Sequence, residues 1–379
     1  MMWRDFDYLL LTLILVLTAL GVMMIGSAVQ GSLALQGLAL RQAIYGAAGL
    51  PLMLALGALN YRELGSLRKL IYGLVLLLLL LVFAVGQITH GAQRWINLGP
   101  IPFQPSELSK VLIILVLASY LARHEESLPK LRYVLLSLIY VVPPALLIYL
   151  QPDLGTALVV GVIWLVMILV AGVRARHLIL LSLTGILATP FIWWHLQGYM
   201  RSRLLLFLDP GLDPAKRYNV DQALISIGSG GWLGKGLASG SQSQLHFLRV
   251  RHTDFIFSVI GEELGFVGTC LLILLLVLLL LRLLRIAERA RDTFGRLIVC
   301  GVATMIAFQS LVNIGMNVGL LPVVGIPLPF ISYGGSSLFS MLIAGGLAQS
   351  VAVHSRKIDF EIQAPTAQLH LGGHESQQE

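Results

Sequence analysis

The chain has 379 residues, 57% of them hydrophobic and 12% charged, and a mean hydropathy of +0.84. A soluble domain keeps about a quarter of its residues charged, so composition excludes a soluble fold and points to a polytopic membrane protein. The net charge of +7 does not indicate nucleic acid, because Lys and Arg fall mainly in short gaps between apolar runs, where membrane topology accounts for them.

A bilayer span needs about 20 mostly apolar residues, and counting such runs predicts an all-α protein with about ten transmembrane helices. They fall near residues 8–29, 42–59, 70–89, 106–122, 132–150, 155–173, 177–194, 264–284, 297–319 and 336–354. The first is longer than a signal-peptide core and lacks a small-x-small cleavage site, so it reads as a retained span. Cys270 and Cys300 lie inside apolar runs with no second pair or His spacing around them, against a disulfide framework or thiolate metal site.

Alternate gaps carry Arg62, Arg68 and Lys69; Arg123, Lys130 and Arg132; Arg174 and Arg176; Arg282, Arg285, Arg289, Arg291 and Arg296; and Arg356 with Lys357. These gaps are expected to be cytoplasmic, with both termini inside. The long extracytoplasmic loop between spans seven and eight, residues 195–264, breaks the pattern with Arg201, Arg203, Lys216, Arg217, Lys235, Arg249 and Arg251. Long loops translocate regardless of charge, so these cations need another explanation. Residues 1–355 read as one integral membrane domain, and 356–379 as a disordered polar tail in which His370 and His374 give only a weak metal signal.

The outer gaps collect the unusual residues. Residues 91–110 and 325–337 are punctuated by Gly and Pro, as ordered loops are, and Pro105 or Ser106 starts the fourth span with Glu107 in its first turn. Within the long loop, 228–240 is rich in Gly and Ser and reads as flexible, while 220–227 has helical potential. Residues 254–264 place Asp254, Ser258 and Glu262 on one helical face, so this segment is expected as a short helix at the outer interface, ended by Gly265.

Chemistry is expected of Asp254, of Glu107 with Lys110, of Asp153, and of Arg41 with Arg94. Carboxylates beside cations suit group transfer from a diphosphate, where cations hold the leaving anion and a carboxylate takes a proton from the attacking hydroxyl. Each has a structural alternative. Asp254 also reads as a helix N-cap. Glu107 and Lys110, three apart, also read as a self-neutralising pair, although Lys110 lies nearly a turn into the bilayer, where Asp153 would be a second partner for it. Asp153 also reads as a helix-start acid, Arg41 and Arg94 as interfacial anchors, and Trp95 as an aromatic-belt residue or a platform for sugar or lipid. His252 reads as a polar neighbour, and one of Glu262 and Glu263 as the partner of a basic loop residue. No HExxH, P-loop or paired-Cys motif occurs, which argues against a protein-held zinc or nucleotide site.

Five blocks in order carry a family resemblance: Gln93-Arg94-Trp95-Ile96; Phe103-Gln104-Pro105-Ser106-Glu107-Leu108-Ser109-Lys110; Gln151-Pro152-Asp153-Leu154-Gly155-Thr156; His252-Thr253-Asp254-Phe255-Ile256-Phe257; and residues 327–337. With them the chain, up to about residue 355, resembles the SEDS family (shape, elongation, division and sporulation), its RodA type more than its FtsW type. The resemblance implies an enzyme of the cytoplasmic membrane that polymerises lipid II into glycan strands on the outer face during cell elongation. It implies as partners a class B penicillin-binding protein, other membrane proteins of the rod complex and the surrounding lipids. It implies that Asp254 is essential and that Glu107, Lys110 and Asp153 belong to a polar cavity. The expected reaction is an inverting transfer, with Asp254 as general base and undecaprenyl diphosphate leaving against Arg41, Arg94 and Lys110. No resident cofactor is expected, and whether a divalent cation, Mg or Mn, accompanies the diphosphate stays open. A lipid II flippase, a scaffold for the penicillin-binding protein and an FtsW-type division polymerase are the alternatives.

Overall fold

Asp7 opens the first helix by accepting the Leu10 amide at 3.0 Å, as an N-cap does. From there the computed structural model is almost wholly helical; it describes residues 6–30, 32, 35–89, 92–98, 101–209, 211–244, 247–248 and 250–356. The helices of the bundle are α1 (Tyr8–Val29), α2 (Leu38–Ala58), α4 (Arg68–Val85), α5 (Pro105–Arg123), α6 and α7 (Leu131–Ser137, Val142–Leu150), α8 (Leu154–Val170), α9 (Ala175–His195), α13 (Ile256–Arg289), α14 (Thr293–Asn317) and α15 (Gly335–Arg356). Short helices α3 (Tyr61–Ser66), α10 (Gly198–Leu208), α11 (Pro214–Ser229) and α12 (Ser241–Gln244) connect them. Among the described residues eight helical stretches are long and apolar enough to cross a membrane, α6 and α7 together making one, and α8 and an apolar stretch of α9 are shorter. This matches the expected polytopic all-α architecture. The tail 357–379 lies outside the described residues.

Buried faces concentrate on α5, α14 and α15, the centre of the bundle. Small residues bring α2 against α15: a Cβ on Gly49 would stand 2.4 Å from Leu342, and one on Gly346 2.8 Å from the Met53 carbonyl. Close backbone approach of this kind is how helices associate where lipid removes the hydrophobic drive. Helix α9 is the opposite case, with Ile179, Ile186, Leu187 and Trp194 all exposed.

Two outer segments differ from expectation. Three short strands form an antiparallel sheet, β1 (Gln87–Thr89), β2 (Ala92–Leu98) and β3 (Ile101–Phe103), where only an ordered loop is expected. The loop 195–264 is mostly helix, and within it Ile256 to Glu263 are buried inside the protein as the first turns of α13. Gly265 then breaks that helix, with φ 66° and ψ −164°.

The break removes the two helical bonds that Phe266 and Val267 would make to Glu262 and Glu263. An orphaned backbone group in hydrocarbon costs several kcal/mol, and here none is left. The Phe266 and Val267 amides donate to the carbonyls of Gly231 (2.9 Å) and Trp232 (3.1 Å), while Glu262 and Glu263 carbonyls accept from Lys235 and Gly236 (both 3.0 Å). The stretch expected to be flexible is thus an ordered plug. Its glycines serve close approach: a Cβ on Gly234 would lie 2.1 Å from the Glu263 carbonyl, at φ +78°. The plug also neutralises buried charge, since Lys235 pairs with Glu262 at 3.0 Å, while Ser27 of α1 donates to Glu263.

Candidate active site

Asp254 sits in the turn that leads into α13, and the backbone of that turn is held from outside. The His252 carbonyl accepts the Tyr333 amide at 2.9 Å and the Thr253 carbonyl accepts Ser332 Oγ at 2.7 Å. Asn313 and Asn317 of α14 both donate to the Asp254 carbonyl, at 3.0 and 2.9 Å. Asn317 Oδ1 in turn accepts from Ser258 Oγ at 2.6 Å. Three consecutive carbonyls are therefore fixed by α14 and by residues 332–333, which lead into α15.

The side chain is left available. Phe255, not Asp254, occupies the cap position of α13, and no hydrogen bond or ion pair ties down the half-buried Asp254 carboxylate among the described residues. Its Oδ2 lies 3.6 Å from where a Cβ on Gly325 would be, and Arg203 Nη1 lies 4.0 Å from the same point. Gly325, at φ +72°, thus keeps open a gap between carboxylate and guanidinium that a side chain would enter.

Arg203 faces this gap, and Arg94 and Asp153 lie near enough to act on the Asp254 charge. Arg203, on α10, donates to the Val323 carbonyl at 3.2 Å and stacks over the Tyr199 ring at 5.7 Å. Arg94 is the extra residue of a β-bulge: Gln87 pairs with Trp95 and Ile88 with Gln93, leaving Arg94 without an opposite number. Bulges re-aim side chains in this way beside active sites, and Arg94 Nε reaches the Gln151 carbonyl at 2.9 Å. Asp153 caps α8, accepting the Thr156 amide at 3.2 Å and its hydroxyl at 3.0 Å, and also accepts from Gln104 at 3.2 Å. Tyr199 donates to Pro152 at 2.6 Å, so the turn Gln151-Pro152-Asp153 organises all three.

Burial raises the Asp254 carboxyl to about 6, against the lowering influence of Arg203 and Arg94 and with a further upward push from Asp153. Burial likewise lifts the Tyr199 phenol, against Arg94 and Arg203, which keeps it a hydrogen-bond donor.

The structure therefore gathers Asp254, Arg94 and Asp153 from among the expected residues. Others stand elsewhere. Lys110 pairs with Glu107 at 2.7 Å with both side chains buried, so the pairing is within the helix and not with Asp153. Exposed Arg41, on α2, lies by Tyr333, where its charge opposes the burial that raises that phenol. Trp95 is half-buried on β2. None of these four is among the charged groups that move the Asp254 proton. Arg203, unassigned in the sequence, takes the place expected of Arg41 and Lys110 beside Asp254. The signal for it was the Tyr199–Arg203 spacing, which puts ring and guanidinium on one face only if 198–208 is a helix.

A family model described as a cell cycle protein, FTSW_RODA_SPOVE, matches residues 7–357. The chain belongs to the FtsW/RodA/SpoVE family. Among family members, the peptidoglycan glycosyltransferase MrdB of Escherichia coli strain K12 is 38% identical over 318 residues, covering 83% of this chain and 86% of that protein. Stage V sporulation protein E of Bacillus subtilis is 37% identical over 360 residues, covering 92% and 98%. Solved structures of the family agree in fold. A chain from a peptidoglycan synthase complex that coordinates polymerization and crosslinking superposes with a TM-score of 0.79 at 37% identity, over 93% of this chain and 99% of that one. The crystal structure of the rod shape determining protein RodA of Thermus thermophilus gives 0.67 at 36% identity, over 93% and 97%.

Proposed function

We propose that this chain is a peptidoglycan glycosyltransferase of the cytoplasmic membrane that polymerises lipid II at the outer face. The single observation that carries the mechanism is a carboxylate with no hydrogen bond or ion pair among the described residues, its proton held to about 6, facing Arg203 across the gap at Gly325. Asp254 takes the proton from the 4-hydroxyl of the acceptor's N-acetylglucosamine as that oxygen bonds to the anomeric carbon of the donor's N-acetylmuramic acid. The bond from that carbon to the diphosphate oxygen breaks with its electron pair. Undecaprenyl diphosphate departs with its new charge against Arg203 and Arg94, and attack on the face opposite the leaving group inverts the centre.

Asp153 would be the second carboxylate for a divalent cation carried in with the diphosphate. Its oxygens are already engaged by Thr156 and Gln104, so this site suits two fixed guanidiniums better than a metal. Similarity to MrdB and to a RodA structure favours an elongation role over an FtsW-type division role. Similarity to a chain of a synthase complex supports a class B penicillin-binding protein as partner. The broken helix α13 is a feature that transporters share, but its break is sealed by the 231–236 backbone, which favours a fixed enzyme scaffold over a flippase.

Purified protein given lipid II is expected to build glycan chains in the presence of moenomycin, and Asp254→Asn to slow this by about 10²–10⁴-fold, the usual contribution of a general base. An Asp254→Asn protein that still polymerised at the wild-type rate would overturn the assignment.

A further inference from the structure

A cavity of about 510 Å³ lies between α10, α11 and residues 318–323, within the roughly 300–1,000 Å³ typical of small-molecule sites. Of its wall the mechanism above uses only Arg203, and Phe255, the residue after Asp254, is also in that wall. Its composition is polarised. Arg203 stands at the end next to the Gly325 gap, while Phe207, Leu224 and Leu321 supply hydrocarbon; Phe207 and Leu224 remain 40% and 37% exposed. The other guanidinium, Arg217, is paired with Asp221 at 2.7 Å. Arg203 has no carboxylate partner among the described residues; it bonds a carbonyl and covers a ring. A largely apolar concavity with exposed Arg203 on the side of the Gly325 gap complements an amphiphile whose anionic head points at that guanidinium. A partner helix, about 10–12 Å across, would place barely one turn in such a volume.

We propose that this cavity receives the prenyl diphosphate portion of the donor lipid. The diphosphate lies at Arg203 and the first isoprene units run along Phe207, Leu224 and Leu321. The assignment rests on the glycosyltransferase reading and adds to it the side from which the donor enters, between α10 and α11.

The test uses the full-length protein and geranylgeranyl diphosphate bearing a diazirine on its terminal isoprene. Photolabelling is expected within 199–224 and 318–323, to be competed by unlabelled geranylgeranyl diphosphate and not by geranylgeraniol at the same concentration. Leu224→Trp, which fills the cavity, is expected to cut labelling and to raise the KM for lipid II about tenfold with kcat kept, the mark of lost ground-state binding. Asp254→Asn is expected to label like wild type. Labelling spread over the lipid-facing spans, or equal competition by the alcohol, overturns the proposal whether or not Leu224→Trp folds. Wild-type labelling together with an active Asp254→Asn protein would instead sink the general-base reading and leave the subsite standing.

Discussion

Asp254 is competent as a base only when ionised, and burial holds its proton up to about 6 against the pull of Arg203 and Arg94. The kcat/KM for lipid II is therefore expected to fall tenfold per pH unit below about 6. Arg203→Gln removes a charge that favours the ionised form, so the acid limb should move upward, and the plateau should drop about 10²–10³-fold with the lost stabilisation of the leaving group. A limb that stays in place in that variant would put Arg203 too far from Asp254 to matter. Glu107 and Lys110 call for a different measurement. Lys110→Met leaves a buried carboxylate unpaired, which costs about 3–5 kcal/mol, whereas Glu107→Gln with Lys110→Met together should recover most of the melting temperature. At this scale the sequence was informative where a charge stood out against apolar neighbours, as Asp254, Asp153 and Arg94 do. It was silent on Asn313 and Asn317, which the reading absorbed into an apolar run, although a pair of asparagines four apart within a span is itself a signal of interior bonding.

Single helices were the easiest elements to find, because each span is a long apolar run with few competitors. Their ends were less legible: α4 stops at Val85 because the chain enters β1 at Gln87, and three-residue strands leave no periodicity to count. The 228–240 stretch was misread for a physical reason, since glycines required for backbone contact look the same in sequence as glycines that confer freedom. The structure separates the two. Gly234→Ala would drive a methyl into the Glu263 carbonyl and pull the plug from the break in α13. Hydrogen exchange at Phe266 and Val267 is expected to speed up by at least an order of magnitude, about 1.4 kcal/mol or more of lost local stability, while amides in α14 stay protected. Unchanged exchange at those two amides would mean that the helix can close the break unaided.

At the scale of the molecule, the Asp254 cluster occupies one end of the bundle and the ion pairs Arg282–Asp7, Arg62–Asp292 and Arg296–Glu125 the other. The basic residues of that second end argue for a cytoplasmic orientation. A single cysteine introduced at Asp209, in a chain with Cys270 and Cys300 replaced by Ser, should react with an impermeant maleimide on intact spheroplasts, and one at Arg289 only after permeabilisation; the reverse pattern would invert the proposed topology. The polytopic all-α character was readable from hydropathy, although eight stretches rather than about ten are long enough to cross a membrane among the described residues; the arrangement was not, because it depends on glycine contacts such as Gly49 on Leu342 that only the folded chain reveals. The clamped turn has a consequence for biogenesis. Its carbonyls are gripped by residues 313–333, and its neighbours Arg94, Asp153 and Arg203 come from three separate places much earlier in the chain. On the proposed mechanism, a nascent polypeptide halted before its final hydrophobic segments are seated would lack the bonds that hold the Asp254 turn, so sugar transfer is expected to await the end of synthesis.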